Sequence, residues 1–509
     1  MSSSTVAHDL KTLILSFHPI IAVETMEEER INRLVEAVAA ELGMTVFAWS
    51  ITSGLIREGG SQAMHGTMEP LGLLRYIEDL TVEGVFVLKD FAQHLTQAPV
   101  ARKFREVAQK FSRGLSTIVL TNRSFELPDE IDHKVVYFSM QLPSREELRN
   151  AVQPVISRLV ATRRVEFAMT PDEFEMMLQT MTGLTLNQAR QTVAYAALED
   201  GRLAPDDFQR VAERKIQIIR DGGLLEYFPP EDNRYQLGGF DRLKEWLARA
   251  RVGFSDEAKL LNLHPPRGIL IVGIQGCGKS LAAKVIAREW SLPLLKLDAG
   301  RLFDKYIGES EKNFRKAVDM AEAMAPAVLW IDEIEKAMPT GSSGNEGDGG
   351  LSRRLFGAFL TWLQEKRHPV FVVATANDLT HTPPELLRKG RFDEIFFVDL
   401  PKPPERKHIL EIHLALRRQN PDEFDMPRLV DATNAFSGAE IEQVVIASLY
   451  RALHDRTPLT TDTIVAETQQ TVPLSTSRRE DLDRLREIAR GRFVPVSSGG
   501  QLDSRTGGQ

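Results

Sequence analysis

Gly268-Ile269-Leu270-Ile271-Val272-Gly273-Ile274-Gln275-Gly276-Cys277-Gly278-Lys279-Ser280-Leu281-Ala282-Ala283-Lys284-Val285-Ile286-Ala287 is the stretch on which the fold turns. Gly268 to Val272 has the unbroken apolar character of a strand buried on both faces. Leu281 to Ala287 follows a helix pattern. The loop between them carries Gly273, Gly276 and Gly278 and closes on Lys279 and Ser280. Strand, glycine loop and helix in this order cradle phosphate. The glycines let backbone N–H groups turn inward, the helix start adds its positive end, and the lysine reaches the outer phosphates. Gly273, Ile274, Gln275, Gly276, Cys277, Gly278, Lys279, Ser280 and Leu281 are therefore expected to hold a phosphate-bearing ligand.

Some fifty residues downstream, Ala327-Val328-Leu329-Trp330-Ile331 reads as a buried parallel strand ending in Asp332-Glu333. Alone, such a pair reads as solvated loop acids. Beside the cradle, Asp332 is expected to hold magnesium through its water shell and Ser280 to supply a direct hydroxyl ligand, and Glu333 falls where it can orient a water toward the terminal phosphate. The next strand, Phe371 to Ala374, ends near Asn377, which either senses that phosphate or caps a turn. Arg388 and Arg391, three apart beside Gly390, have no obvious partner within one site. Their guanidinium groups are expected to act on a neighbouring copy, the alternative being a basic surface turn.

The surrounding chain is organised in layers. Residues 1–150 alternate strand-like runs (Ile20–Val23, Thr45–Trp49, Val85–Leu88, Thr117–Leu120) with helical stretches such as Glu27–Leu42, which predicts an α/β domain with a largely parallel sheet. Residues 151–232 read as a helical, lid-like segment and linker, with stripes at Phe174, Met177 and Leu178 and at Ala189, Val193, Ala194 and Ala197. Residues 233–401 form a second α/β unit, 402–490 a helical lid with C-terminal helices, and 491–509 a flexible tail, glycine- and serine-rich from Val496. Strand, Asn122, helix and edge strand in the first unit echo strand, Asn377, helix and edge strand in the second. The first is read as a degenerate repeat that kept its sheet and lost its phosphate site.

Composition narrows the function. The net charge of -8 argues against a general nucleic-acid coat, and neither aromatic–basic interleaving nor a helix-turn-helix is evident. Cys277 is the one cysteine, so neither an intrachain disulfide nor a cysteine-built metal site can form. No segment reaches the length of a membrane helix and the first 30 residues have no signal-peptide pattern, so a cytoplasmic location without membrane insertion is expected.

Together these motifs resemble the AAA ATPases in their classical branch, over about residues 234–470. Leu237-Gly238-Gly239-Phe240-Asp241 is similar to the family's opening motif beside adenine. Gly273–Ser280 matches Walker A and Leu329–Glu333 matches Walker B. Asn377 falls at sensor 1, and Arg388 and Arg391 fall at the paired arginine fingers. His413 resembles the lid histidine near the ribose, and Ser437-Gly438-Ala439-Glu440 the lid motif, which puts Gly238, Gly239, His413, Gly438 and Ala439 among the nucleotide contacts. The whole arrangement resembles a group of cyanobacterial and plastid-encoded AAA proteins with a degenerate ATPase-like domain ahead of one active module. The resemblance implies a P-loop NTPase module with a parallel sheet and helical lid, ATP and Mg2+ as ligands, and catalysis by Glu333, Asp332, Lys279, Asn377, Arg388 and Arg391. It also implies a homo-oligomer, a hexamer, whose pore loop grips a protein client through Tyr306 and Ile307. Cys277 departs from the family's usual threonine or small residue. It is either a tolerated small side chain or a redox brake with a lowered pKa. A second glycine-rich loop, Met338–Gly350, is expected to lack fixed structure before a helix beginning near Leu351. The implied activity is ATP-driven remodelling or threading of a protein. An ATP-gated scaffold is the main alternative, and a nucleic-acid motor the weaker one.

Overall fold

The computed structural model describes residues 3–60, 62–125, 127–162, 164–229, 237–298, 309–337, 346–366, 368–378, 385–388 and 390–498. The chain divides into two compact units, Met1–Val211 and Ala212–Gln509. Both are α/β with largely parallel sheets, as expected.

In the first unit, β1 (Ile20–Glu24), β2 (Thr45–Ser50), β3 (Gly54–Arg57), β4 (Gly84–Lys89), β5 (Thr117–Asn122) and β6 (Val135–Tyr137) form a sheet in the order β3-β2-β4-β5-β1-β6. β3 is antiparallel to β2; the other pairings are parallel. Successive side chains of a strand point to opposite faces, so unbroken apolar runs feed two cores. Ile20, Ala22, Phe86, Leu88, Ile118 and Leu120 pack on one side. Ile21, Val23, Val85, Val87 and Val119 pack on the other. Helices Arg145–Ala161, Pro171–Thr180 and Leu186–Asp200 follow, with the short parallel pair β7 (Glu166–Phe167) and β8 (Arg202–Leu203). A reciprocal Ser/Thr–Glu/Gln capping box opens each of the three. Of the predicted stripes, Met177, Leu178, Ala189, Val193 and Ala197 are buried, and Phe174 and Ala194 half-buried.

In the second unit, β9 (Leu225–Phe228), β10 (Gly268–Gly273), β11 (Leu294–Leu297), β12 (Ala327–Ile331), β13 (Val370–Ala376), β14 (Glu394–Val398) and β15 (Val494–Pro495) take the order β15-β14-β10-β13-β12-β11-β9. β9 is antiparallel to β11 and the rest run parallel. The five strands of β14-β10-β13-β12-β11 repeat the order and direction of β6-β1-β5-β4-β2. Leu270, Val272, Leu329, Ile331, Val372 and Ala374 face one core, and Ile269, Ile271, Val328, Trp330, Phe371 and Val373 the other. Helices Pro403–Leu416, Met426–Ala432, Gly438–Asp455 and Thr461–Gln470 carry a smaller core around Leu410, Leu414, Ile441 and Val445.

Three expectations need correction. The 151–232 stretch is helical to Asp221 apart from the short pair β7 and β8, and then contributes β9, whose four residues are too short to interrupt a helical reading. The tail expected to be flexible from 491 is pinned through Ser498: β15 pairs with β14, and Phe493 and Val496 are buried. The helix expected near Leu351 starts at Glu346, despite glycines 347, 349 and 350; Met338–Asn345 lie outside the described residues.

Candidate functional site

The glycine loop expected to cradle phosphate lies where β10 gives way to the helix Lys279–Trp290. Gly273 has φ 150°, and a Cβ there would lie 2.0 Å from the Val398 carbonyl of β14. That close approach excludes any side chain. Gly276, at φ 75°, brings the loop against the lid, where Ser437 Oγ would be 3.0 Å from an added Cβ. The Ala439 N–H donates to the Gly276 carbonyl at 2.9 Å. Ser437 and Glu440 cap the lid helix reciprocally, which sets Gly438 and Ala439 over the loop. Lys279 is 6% exposed, and its Nζ donates to the carbonyls of Gly273 at 2.8 Å and Ile274 at 2.7 Å. Burial pushes its ammonium down to about 8, against the upward pull of Cys277, Glu335, Asp332 and Glu333.

The acids meet the cradle through a continuous chain of hydrogen bonds. Ser280 Oγ donates to Asp332 Oδ1 at 3.0 Å, and Thr375 Oγ1 donates to the same oxygen at 2.7 Å. The Glu333 N–H donates back to Thr375 Oγ1 at 3.1 Å. Glu333 has φ 50°, a left-handed conformation rare outside glycine, which turns its carboxylate out of the strand direction. Asn377 Nδ2 donates to Glu333 Oε1 at 3.0 Å, and the Asn377 N–H to Glu335 Oε1 at 2.9 Å. Lys336 pairs with Glu333, and Lys296 stands 3.8 Å from Asp332 over the Trp330 ring. Burial raises the Glu335 carboxyl above its ordinary range, and its Oε2 has no partner among the described residues.

These groups open into a cavity of about 590 Å³, a volume suited to a cofactor-sized ligand. Of the sequence-predicted residues, Gly238, Gln275 to Leu281, Asp332, Glu333, Asn377, His413, Gly438 and Ala439 line it, with Gly239, Gly273 and Ile274 outside its wall. Gly239 sits at φ 77° against Glu405. Burial lowers the His413 pKa, although Glu442 stands 3.5 Å from Nδ1. Arg388 and Arg391 do not line this cavity. Arg388 is exposed, and Arg391 has a guanidinium nitrogen that is buried without a partner among the described residues. Tyr306 and Ile307 lie outside the described residues.

The surroundings of Cys277 favour the tolerated small side chain over the redox brake. The thiol is 8% exposed, and burial pushes it up to about 12, outweighing the lowering by Lys279 and by a backbone hydrogen bond at Gly438. It packs as a small apolar side chain beside Leu237 and Phe240 in the core.

Sequence reasoning missed Thr375, Glu335 and the returning C-terminal residues Pro495, Val496 and Ser497, which also line the cavity or brace its acids. For Thr375 a signal exists: it is the polar residue in the otherwise apolar run Val370–Ala376. For the C-terminal residues no local signal exists, because they reach the site only through the pairing of β15 with β14.

The first unit keeps the frame of this site without its chemistry. Asp90, the residue after β4, has φ 52°, and Glu333, two residues after β12, has φ 50°. Yet Thr25–Glu27 replace the longer glycine loop between β1 and the helix Glu28–Leu42. Carboxylates stand at the helix start. Glu28 lies 3.1 Å from Lys89, and Glu27 accepts the Leu186 N–H at 2.7 Å. Arg30 lies 3.6 Å from Glu27 and donates from Nε and a terminal nitrogen to Glu147 at 2.9 and 3.1 Å. The first turn of this helix thus carries the acidic Glu28 and Glu29, which suit its positive end, although Glu27 makes no side-chain cap hydrogen bond there.

Residues 269–400 match the family described as ATPase family associated with various cellular activities (AAA). Residues 6–140 match the SpoVK-like AAA ATPase, N-terminal domain, and residues 146–222 the SpoVK-like AAA ATPase, second domain. The chain is 36% identical over 494 residues to the uncharacterized AAA domain-containing protein ycf46 of Trieres chinensis, covering 96% of this chain and 98% of that protein. It is 35% identical to the ycf46 protein of Guillardia theta, covering 96% of each. A cell division cycle protein 48 homolog of Archaeoglobus fulgidus is 32% identical over 254 residues, 48% of this chain and 34% of that protein. The chain belongs to the AAA ATPase family. Among the described residues, no helix is long and apolar enough to cross a membrane.

Proposed function

We propose that this chain is a magnesium-dependent ATPase that works as a cytoplasmic hexameric ring and remodels or threads a protein client. The observation that carries the reading is the hydrogen-bonded line from Ser280 through Asp332, Thr375 and Glu333 to Asn377 at the mouth of the cradle. The amides of Gly276–Lys279 would hold the phosphates, and Lys279 would exchange its two carbonyl partners for phosphate oxygens. Ser280 Oγ and Asp332 Oδ1, hard oxygens 3.0 Å apart, suit Mg2+. The ion would supply charge neutralisation on the phosphate oxygens. Glu333 would take the proton of the attacking water, held in register by Asn377. Arg388 and Arg391 would complete the site of an adjacent copy, which agrees with their standing apart from their own cavity.

Replacing Glu333 with Gln keeps the shape and removes the base. Turnover should fall by about 100-fold or more, while ATP stays bound and the ring persists. An unaltered hydrolysis rate would overturn the assignment.

A second reading, an ATP-gated scaffold, draws on the first unit, whose helix start carries Glu27 and Glu28 where the second has the glycine loop and Lys279, so that this unit would bind a partner rather than nucleotide. Tyr306→Ala separates the two. A remodeller should keep basal hydrolysis and lose client processing, whereas a scaffold should bind its partner as before.

A further inference from the structure

We propose that the C-terminal segment Phe493–Ser498 is the wall of the base end of the nucleotide pocket and clamps the lid to the sheet around a bound purine. This rests on the ATP reading above.

Sheet order sets the direction of the ligand. The cradle follows β10, and the acids and Asn377 follow β12 and β13 on one side of it. β14 and β15 lie on the other side. A triphosphate seated at β10 with its terminal group toward β12 and β13 therefore puts its base over the ends of β14 and β15. Pro495 and Val496 line the cavity together with the apolar Leu237, Leu400, Ile409 and Ile412, with the polar Asp399, Lys402, Glu405 and Ser497 among them. The apolar side chains suit the flat faces of a purine.

The segment is built in, not laid on. Val496 and Ser497 are 6% and 8% exposed. The Val496 N–H donates to the Phe397 carbonyl at 3.1 Å, and the Val496 carbonyl accepts from the N–H groups of Arg242 at 3.0 Å and Leu243 at 3.3 Å. Ser497 Oγ accepts the Phe240 N–H at 3.2 Å and donates to Glu405 on the lid helix Pro403–Leu416. Lys402 Nζ donates to the Ser498 carbonyl. One hydroxyl thus joins the segment preceding β10, the C-terminal segment and the lid. Lid rotation about the β14–lid connection must strain or break that joint. The segment consequently governs how tightly the lid closes over the base, without touching the phosphates.

The test compares the full chain with Ser497→Ala and with a chain ending at Phe493, using ATP and inorganic tripolyphosphate as the two probes in titration calorimetry. Without the wall, ATP affinity should weaken by about ten-fold or more, the scale set by losing the burial of a valine-sized surface. Tripolyphosphate affinity should stay within about two-fold, because its contacts are to the cradle alone. Ser497→Ala should weaken ATP in the same sense, by a smaller factor, and lower the melting temperature modestly, because the buried Phe240 N–H loses its acceptor. Should truncation abolish binding of both probes, Ser497→Ala decides: a selective loss of ATP supports the wall, and an unchanged ratio of the two affinities overturns it. Equal ATP affinity in all three proteins also overturns it. A full chain that binds neither probe overturns the ATP reading itself.

Discussion

At the scale of single residues, the site depends on one hydroxyl that bridges its two acids. Thr375 Oγ1 serves Asp332 as donor and Glu333 as acceptor. Thr375→Val keeps the volume but leaves the Glu333 N–H unpaired inside the protein, a cost of about 1–3 kcal/mol. Hydrolysis should fall by at least about ten-fold with ATP affinity nearly unchanged, read from kcat against direct binding. Cys277 should behave oppositely to a sensor thiol. Buried and with its pKa pushed up, it should react slowly with a maleimide at pH 7.5 whether or not ATP is present, and rapid labelling of the folded protein would contradict its packing role. The cradle and the acids were legible because their spacing along the chain is itself the chemistry. Thr375 was less so, since its role comes from two strands lying side by side at Asp332.

At the scale of elements, the helix Asp207–Asp221 carries an ammonium into the core. Lys215 is 3% exposed, with Nζ 4.8 Å from the Tyr227 ring of β9. Burial pushes its pKa down to about 7 from the ordinary 10.5. Below pH 7 both folded and unfolded chains are protonated there, and the full cost of burying the charge is present. As pH rises from 7 toward 10.5 the folded chain gives up the proton first, so this residue's cost shrinks and stability rises. Lys215→Met should therefore raise the melting temperature at pH 7 by an amount worth a few kcal/mol and converge on the parent near pH 10, as thermal melts at the two pH values would show. A constant gap would mean that the lysine is neutral or paired at pH 7. The helical reading of this region found the helix and missed β9, because a four-residue strand that completes a distant sheet has no period of its own.

At the scale of the whole molecule, two sheets of the same strand order differ in what sits at the first helix of each. One presents a glycine loop and Lys279; the other presents Glu27 and Glu28, already matched by a backbone N–H and by Lys89. Equilibrium dialysis should find one nucleotide per chain, and Lys279→Ala should reduce that to none. Two per chain would mean that the first cleft opens. If Arg388 works across a ring, specific activity should rise with protein concentration. Arg388→Ala should then retain ATP affinity and lose turnover by about 10³-fold or more; full activity in a dilute monomer would remove the shared site.

What the sequence determined by itself is the α/β class, and with it the set of residues expected to handle phosphate, because each rests on local periodicity or on fixed spacing within one strand–loop–helix unit. What only the tertiary structure decided is which remote pieces complete the pocket: Thr375 beneath the acids, Glu335 behind Asn377, and a C-terminal segment returning more than two hundred residues after the cradle to pair with β14. Edge pairing of a two-residue strand is settled by the fit of Phe493 and Val496 into existing cores, and no stretch of chain carries that information alone.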